Sequence, residues 1–277
     1  MGLSTIAGMQ SAPDPDSLAA AGLRLAVDGA VATVTLDRPQ VRNAQTPAMW
    51  HALADVGASL DDDVRVVVVR GEGSTFSAGL DRSLLDPTSG DESVARLMTQ
   101  ADEQISATID GYQQGFTWLR DPRWVSIAAV QGYAIGAGFQ LALSCDLRVV
   151  AEGAQFCMKE PALGLVPDLT GTKPLVEAVG YQRALEICAT TRMVGAEEAV
   201  SIGLALTAVP ADRLDAAVAD LAQALTANVA GAVAETKALL QSAAEQDLET
   251  QRRLEREAQT RRFRELAPLM QGQSTQE

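Results

Sequence analysis

A chain of 277 residues, 47% hydrophobic and 21% charged, can bury a large core and has the composition of a globular protein. Its net charge of −14 argues against nucleic acid as a general partner, and no apolar run approaches the roughly 18–20 residues that cross a membrane. Cys145, Cys157 and Cys188 are odd in number and contain no C-x-x-C pair, so neither a disulfide framework nor a zinc site is indicated, and a reducing cytoplasm is the expected location.

In chain order, residues 1–20 include Pro13, Asp14, Pro15 and Asp16 and lack the basic-then-apolar order of a secretion signal. A flexible tail is expected there. Leu23 to Leu36 alternates about Asp28-Gly29, a hairpin signal, and Arg38-Pro39 ends the second strand. Thr46 then caps a helix with Pro47 at its first position, running to about Leu60. This stretch holds the one histidine, His51, in an amphipathic setting that suits a helix surface better than serine–histidine chemistry. Val64 to Arg70 reads as a strand buried on both faces, followed by a loop from Gly71 to Arg82. A helical segment spans about Asp91 to Leu119, with Gly111 and Gly115 as weak points. Next come a strand at Ser126–Val130, a glycine-rich run, a helix from Phe139 and a buried strand at Leu147–Ala151. Such alternation belongs to crossover units covering a sheet.

Beyond Asp168 strands nearly vanish. Helical stretches cover 173–179, 182–190, 196–202, 212–228, 230–244 and 248–266, with alanine-rich faces suited to helix–helix contact within or between subunits. The last of them interleaves arginines with glutamates, the pattern of a solvated, salt-bridged helix.

The glycine-rich run Gly132-Tyr133-Ala134-Ile135-Gly136-Ala137-Gly138 carries the first chemical signal. A helix begins with N–H groups that lack intrahelical partners, and glycines let another molecule approach the main chain. Together they suit an anion, bound or developing during a reaction. The alternative is a tightly packed strand–helix turn. The run does not fit the dinucleotide fingerprint, because Gly136-x-Gly138 is followed at the third position by Leu141.

Four stretches in order resemble the crotonase, or enoyl-CoA hydratase/isomerase, superfamily: Leu36–Ala44, Phe76–Asp81, Gly132 through Cys145-Asp146, and Gln155-Phe156 through Gly164-Leu165-Val166-Pro167-Asp168. The resemblance covers about Leu23 to Val209 and implies a crotonase-like α/β spiral of ββα turns with a helical C-terminal region. Residues 1–20 form a tail in this division, 21–205 the acyl-CoA-binding core and 206–277 a helical, oligomerising region. A trimer or dimer of trimers is the implied assembly. The implied ligand is an acyl-CoA thioester, as substrate rather than prosthetic group, with no cofactor or metal. Its thioester oxygen would be held by the backbone N–H groups of Leu80 and Ala137. CoA-binding positions would include Ala78, whose carbonyl faces the adenine, with Gly79, Asp81 and Gly136. Arg42 and Arg82 are candidates for the phosphates.

The acid/base positions depart from a hydratase-like pair of glutamates. The first is Gln140, which hydrogen-bonds but cannot shuttle a proton; the second is Glu160. A third position, used by isomerase-like and dehalogenase-like members, is Asp168. Other roles stay open: Asp168 as a helix cap before Thr170-Gly171-Thr172-Lys173, and Glu160 as a buried partner of Lys159 or an arginine. Hydration wants two proton-handling groups, whereas moving a double bond needs one. With Gln140 neutral, an enoyl-CoA isomerase is the favoured expectation, with Asp168 ahead of Glu160 as the shuttle. Hydration through Glu160 and non-catalytic acyl-CoA binding are the alternatives. The tail also departs from the family, and Phe263 among its arginines is the candidate cover for the adenine edge.

Overall fold

The computed structural model describes residues 13–86, 88 and 93–273. Strands β1 (Leu23–Asp28) and β2 (Val31–Leu36) form the expected hairpin, with Asp28 paired to Val31, so Gly29 and Ala30 make the turn and Asp28 closes the strand. Strands β3 (Val66–Gly71), β4 (Val125–Val130), β6 (Leu147–Ala151) and β9 (Thr207–Val209) extend this hairpin into a six-stranded sheet of order β1-β2-β3-β4-β6-β9. All its pairings after the first are parallel. A three-stranded sheet, β5 (Tyr133–Ile135), β7 (Gln155–Cys157) and β8 (Val194–Gly195), stands beside it.

Eleven helices complete the described residues: α1 (Pro15–Ala20), α2 (Pro47–Ser59), α3 (Val94–Leu97), α4 (Asp102–Thr117), α5 (Ala137–Ser144), α6 (Thr172–Val179), α7 (Tyr181–Thr190), α8 (Ala196–Ser201), α9 (Leu214–Thr226), α10 (Ala230–Ala243) and α11 (Leu248–Gln273). The Thr46 hydroxyl caps α2 by accepting from the Met49 N–H, with Pro47 in the first turn. The single helix expected from about Asp91 to Leu119 is instead α3, α4 and a 3-10 turn at Trp118–Arg120. Ser93 caps the first, and Asp102 and Glu103 favour a new start by lying in the first turn of the second. Gly115 marks a helix crossing, since a Cβ there would lie 2.3 Å from the Trp50 carbonyl oxygen.

Two parts of the expected division are corrected. The tail expected over 1–20 has structure at its end: Asp14 caps α1 by accepting from the Ser17 N–H, and Leu18 is buried in the main core. Residues 1–12 lie outside the described residues. At the other boundary, β9 pairs with β6 beyond residue 205. Helix α9 lays Leu214, Val218 and Ala222 over Val66, Val68, Ile127 and Val149. The opposite face of the sheet, with Val67, Val69, Ala128 and Val150, packs into the main core with α2, α4 and α5. Burial on both faces explains the continuous valines of β3, and it requires a helix from the C-terminal third. Helix α10 is anchored by Lys237, which is 8% exposed and donates to Asp121 O at 2.8 Å, Trp124 O at 2.7 Å and Asp146 Oδ2 at 2.7 Å. The arginines of α11 pair with glutamates as expected: Arg252 with Glu249, Arg253 with Glu257, and Arg261 with Glu235 on α10.

Candidate active site

The site is built where the loop after β3 meets β5 and the start of α5. Three backbone bonds stitch them together: Phe76 N–H to Gln131 O at 2.8 Å, Ser77 N–H to Tyr133 O at 2.9 Å, and Ile135 N–H to Ser77 O at 3.0 Å. Gly79 then passes β5 so closely that a Cβ there would lie 2.4 Å from Ile135 O and 3.5 Å from the Ala137 nitrogen. Its φ of +87° adds a second reason for glycine.

Leu80 thus follows a glycine packed against the start of α5, where Ala137 lies. The Gln45 N–H donates to Gly79 O and the Asp81 N–H to Gln45 O, a parallel bridge that leaves the Leu80 N–H unused. Ala137 opens α5 after Gly136 and has no intrahelical acceptor. Among the described residues neither N–H finds a protein acceptor. The Ala78 N–H donates to Arg42 O at 2.9 Å, and the Ala78 carbonyl likewise accepts nothing.

Beneath the loop lies a buried polar scaffold. Asn43 donates to Glu72 O and Thr75 O and accepts from the Arg38 N–H. Gln45 donates to Ser77 Oγ and accepts from Trp50 Nε1–H. Asn43 and Ser77 lie within the stretches that resemble the family and Gln45 just beyond the first, but nothing in their spacing foretold these bonds. Asp81 is spent within this scaffold. Arg38 donates to it at 2.9 Å, and the Ser83 N–H and hydroxyl do so at 3.1 and 2.9 Å. Burial alone would raise its pKa, but these bonds outweigh that and hold the carboxyl below its ordinary range. Arg42 and Arg82 are exposed and have no carboxylate partner among the described residues.

Glu160 opens a 3-10 turn (Glu160–Leu163), and its carboxylate fills the space beside Gly136, where a Cβ would lie 3.2 Å from Oε1. Gln140 Nε2–H donates to Oε1 at 2.7 Å, while Oε2 is sealed from solvent without a hydrogen-bond partner. Glu160 therefore pairs with neither Lys159 nor an arginine. Burial raises its pKa; its own backbone N–H and the Gln140 amide oppose that, and the charge of Asp168 adds to the rise. The carboxyl of Asp168 is also raised by burial, and it makes no side-chain hydrogen bond among the described residues. It does not cap α6, whose N-cap is Gly171. Gln113 Nε2–H on α4 holds the Asp168 carbonyl at 2.7 Å, a contact that no motif announced.

Two carboxyls with raised pKa thus lie within electrostatic reach of one another, and Glu160 packs beside Gly136, the residue before the unused Ala137 N–H. Such a site can take a proton from carbon next to a thioester and hold the negative charge that forms on its oxygen. His51, by contrast, packs edge-on against the Tyr112 ring, with centroids 5.6 Å apart. Cys145 is buried, its thiol pushed up to about 12 by desolvation.

A sequence profile described as enoyl-CoA hydratase/isomerase matches residues 26–267. A crystal structure of a putative enoyl-CoA hydratase from Thermobifida fusca YX in complex with CoA is 52% identical, with a TM-score of 0.89 over 93% of this chain and 99% of that one. A probable enoyl-CoA hydratase of Mycobacterium tuberculosis is 33% identical over 68% of each chain. The peroxisomal Δ(3,5)-Δ(2,4)-dienoyl-CoA isomerase of Arabidopsis thaliana is 31% identical over 79% of this chain and 80% of its own. With the fold and the four motifs already in place, the chain belongs to the enoyl-CoA hydratase/isomerase family of the crotonase superfamily.

Proposed function

We propose that this protein is an enoyl-CoA isomerase that moves a carbon–carbon double bond through a thioester dienolate. The Leu80 and Ala137 N–H groups hold the thioester oxygen. Glu160 takes a proton from the α-carbon, the C–H electron pair moves into the dienolate, and the proton returns to the γ-carbon as the double bond shifts. Reactants and products balance without a co-reactant. Each preorganised donor contributes about 3–4 kcal/mol as charge develops on the oxygen.

The observation that carries this reading is the Glu160 carboxylate itself. One of its oxygens is sealed and unpartnered beside Gly136, next to the helix start that offers the Ala137 N–H. The Gly-Leu-Val-Pro-Asp context favours Asp168 as the base, but the packing of Glu160 against Gly136 favours Glu160 for the α-carbon and leaves Asp168 as its electrostatic neighbour. Gln140 is neutral, with its amide oxygen and nitrogen both hydrogen-bonded, and so cannot serve as the first member of a two-glutamate pair. Arg42 and Arg82 are assigned to the CoA phosphates and the Ala78 carbonyl to the adenine. A trimer or dimer of trimers is the proposed assembly.

The proximity of Glu160 and Asp168 supports a second reading, hydration, in which the aspartate supplies the second proton-handling group. A panel of 2-enoyl, 3-enoyl and saturated CoA thioesters separates the two. Conversion of 3-enoyl to 2-enoyl thioesters without water addition supports isomerisation, and 3-hydroxyacyl products support hydration. Binding with no turnover of any member leaves an acyl-CoA-binding protein.

A further inference from the structure

Gln140 is 1% exposed, and its neighbours fix every polar contact it makes. Its Oε1 accepts from the Leu169 N–H at 2.8 Å and the Gly171 N–H at 3.3 Å, both on the loop that follows Asp168. Backbone N–H groups only donate, so the amide can face one way, with Nε2–H turned to Glu160 Oε1 at 2.7 Å. The two oxygens of Glu160 are therefore unequal. Oε1 is committed and Oε2 is sealed without a partner.

We propose that Gln140 is a positioning residue for proton transfer: it commits Oε1 of Glu160, leaves Oε2 as the oxygen that takes and returns the proton, and ties that carboxylate to the loop carrying Asp168. The proposal rests on the reading of Glu160 as the base. A free carboxyl presents either oxygen by rotating, and each rotation moves the proton acceptor relative to the substrate. The amide removes that freedom without bringing a proton of its own to the reaction. It also favours the ionised form by donating to it, against the desolvation that raises the pKa of Glu160. The other titratable and charged groups around this carboxylate are Asp168, Cys157 at the end of β7, Cys188 on α7 and the adjacent Lys159. The backbone N–H groups of Lys159 and of Glu160 itself also favour the ionised form, while the side chains of Asp168, Cys157, Cys188 and Lys159 make no hydrogen bond to it among the described residues.

Gln140→Glu separates the two halves of the role. A carboxylate at 140 still accepts from the Leu169 and Gly171 N–H groups, but it cannot donate to Glu160 and faces it with like charge. The assay follows deuterium uptake at the α-carbon of butyryl-CoA in D2O across pH, together with butyryl-CoA affinity and melting temperature. Expected for Gln140→Glu are affinity within about twofold of wild type, an acidic limb moved up by about one pH unit or more, and exchange at pH 6 reduced at least about tenfold. Should that variant not fold, Gln140→Asn keeps the amide but retracts it by one methylene, and its limb should move the same way. A wild-type limb and rate in Gln140→Asn, made in either case because it adds no carboxylate of its own, overturns the proposal and leaves Gln140 as a tie for the loop. If the wild-type protein exchanges no α-proton, the reading of Glu160 as base fails first and the proposal falls with it.

Discussion

Gly79 and Ile135 set the spacing of the site, because a Cβ on the first would lie 2.4 Å from the carbonyl oxygen of the second. The same Cβ would lie 3.5 Å from the Ala137 nitrogen, so the chain just before Leu80 runs against the start of α5. Gly79→Ala must separate the two main chains or force a side chain into a backbone conformation with φ near +87°. We expect turnover to fall by roughly 10²–10³, the usual consequence of losing one such donor, with a stability loss of about 1–3 kcal/mol. Steady-state kinetics with thermal unfolding checks both, and unchanged turnover would remove the donor pair from the mechanism.

Glu160→Gln and Asp168→Asn preserve shape while removing a base. Glu160→Gln is expected to reduce turnover by roughly 10²–10⁴ with little change in thioester affinity. The larger loss falling on Asp168→Asn would transfer the base to the aspartate.

The same carboxyls make stability depend on pH. Their folded pKa values lie above the ordinary 4.5 and 3.8, so between the ordinary and raised values the folded protein binds more protons than the unfolded chain. Stability must therefore fall as pH rises through that window. Each amide variant should melt higher than wild type at pH 7, and the difference should narrow as pH drops towards 4. Melting curves at both pH values test the sign, and a variant that melts lower at pH 7 would refute it.

Arg42 and Arg82 are exposed and have no ion-pair partner among the described residues, although the chain carries a net charge of −14. Arg42→Ala and Arg82→Ala should each raise KM for CoA thioesters and flatten the salt dependence of binding, leaving kcat and melting temperature nearly unchanged. Titrations at low and high salt distinguish this from a role elsewhere on the surface.

Lys237 meets three acceptors with the three protons of its ammonium, although burial pulls its pKa down. Lys237→Met fills similar volume but strands the Asp146 carboxylate and two carbonyls. It should cost about 3–5 kcal/mol and loosen α10, read as earlier protease cleavage near Ala230–Ala243. A variant as stable as wild type would show that Asp146 is held well enough by Ser126.

Local chemistry made much of the architecture legible. Gly29 in the hairpin turn and Thr46-Pro47 at the start of α2 act within a few residues, through φ preference and capping, before any tertiary contact forms, and the valine run of β3 announces a strand buried on both faces. The four motifs likewise marked the family and the positions of the candidate site residues. Only the tertiary structure decided what those residues touch. Gln140, Glu160 and Leu169 stand 20 and 29 positions from one another along the two hydrogen bonds that join them, and Gln113 reaches Asp168 across 55. Over such separations a side chain's partner depends on how α4, α5 and the loop before α6 pack, which no local preference encodes. The three residues of β9 are too few to show a period, and α9 covers the sheet only because parallel strands must be buried on both faces. Residue type thus determined that position 140 carries no titratable group; packing decided that its amide holds the Glu160 carboxylate.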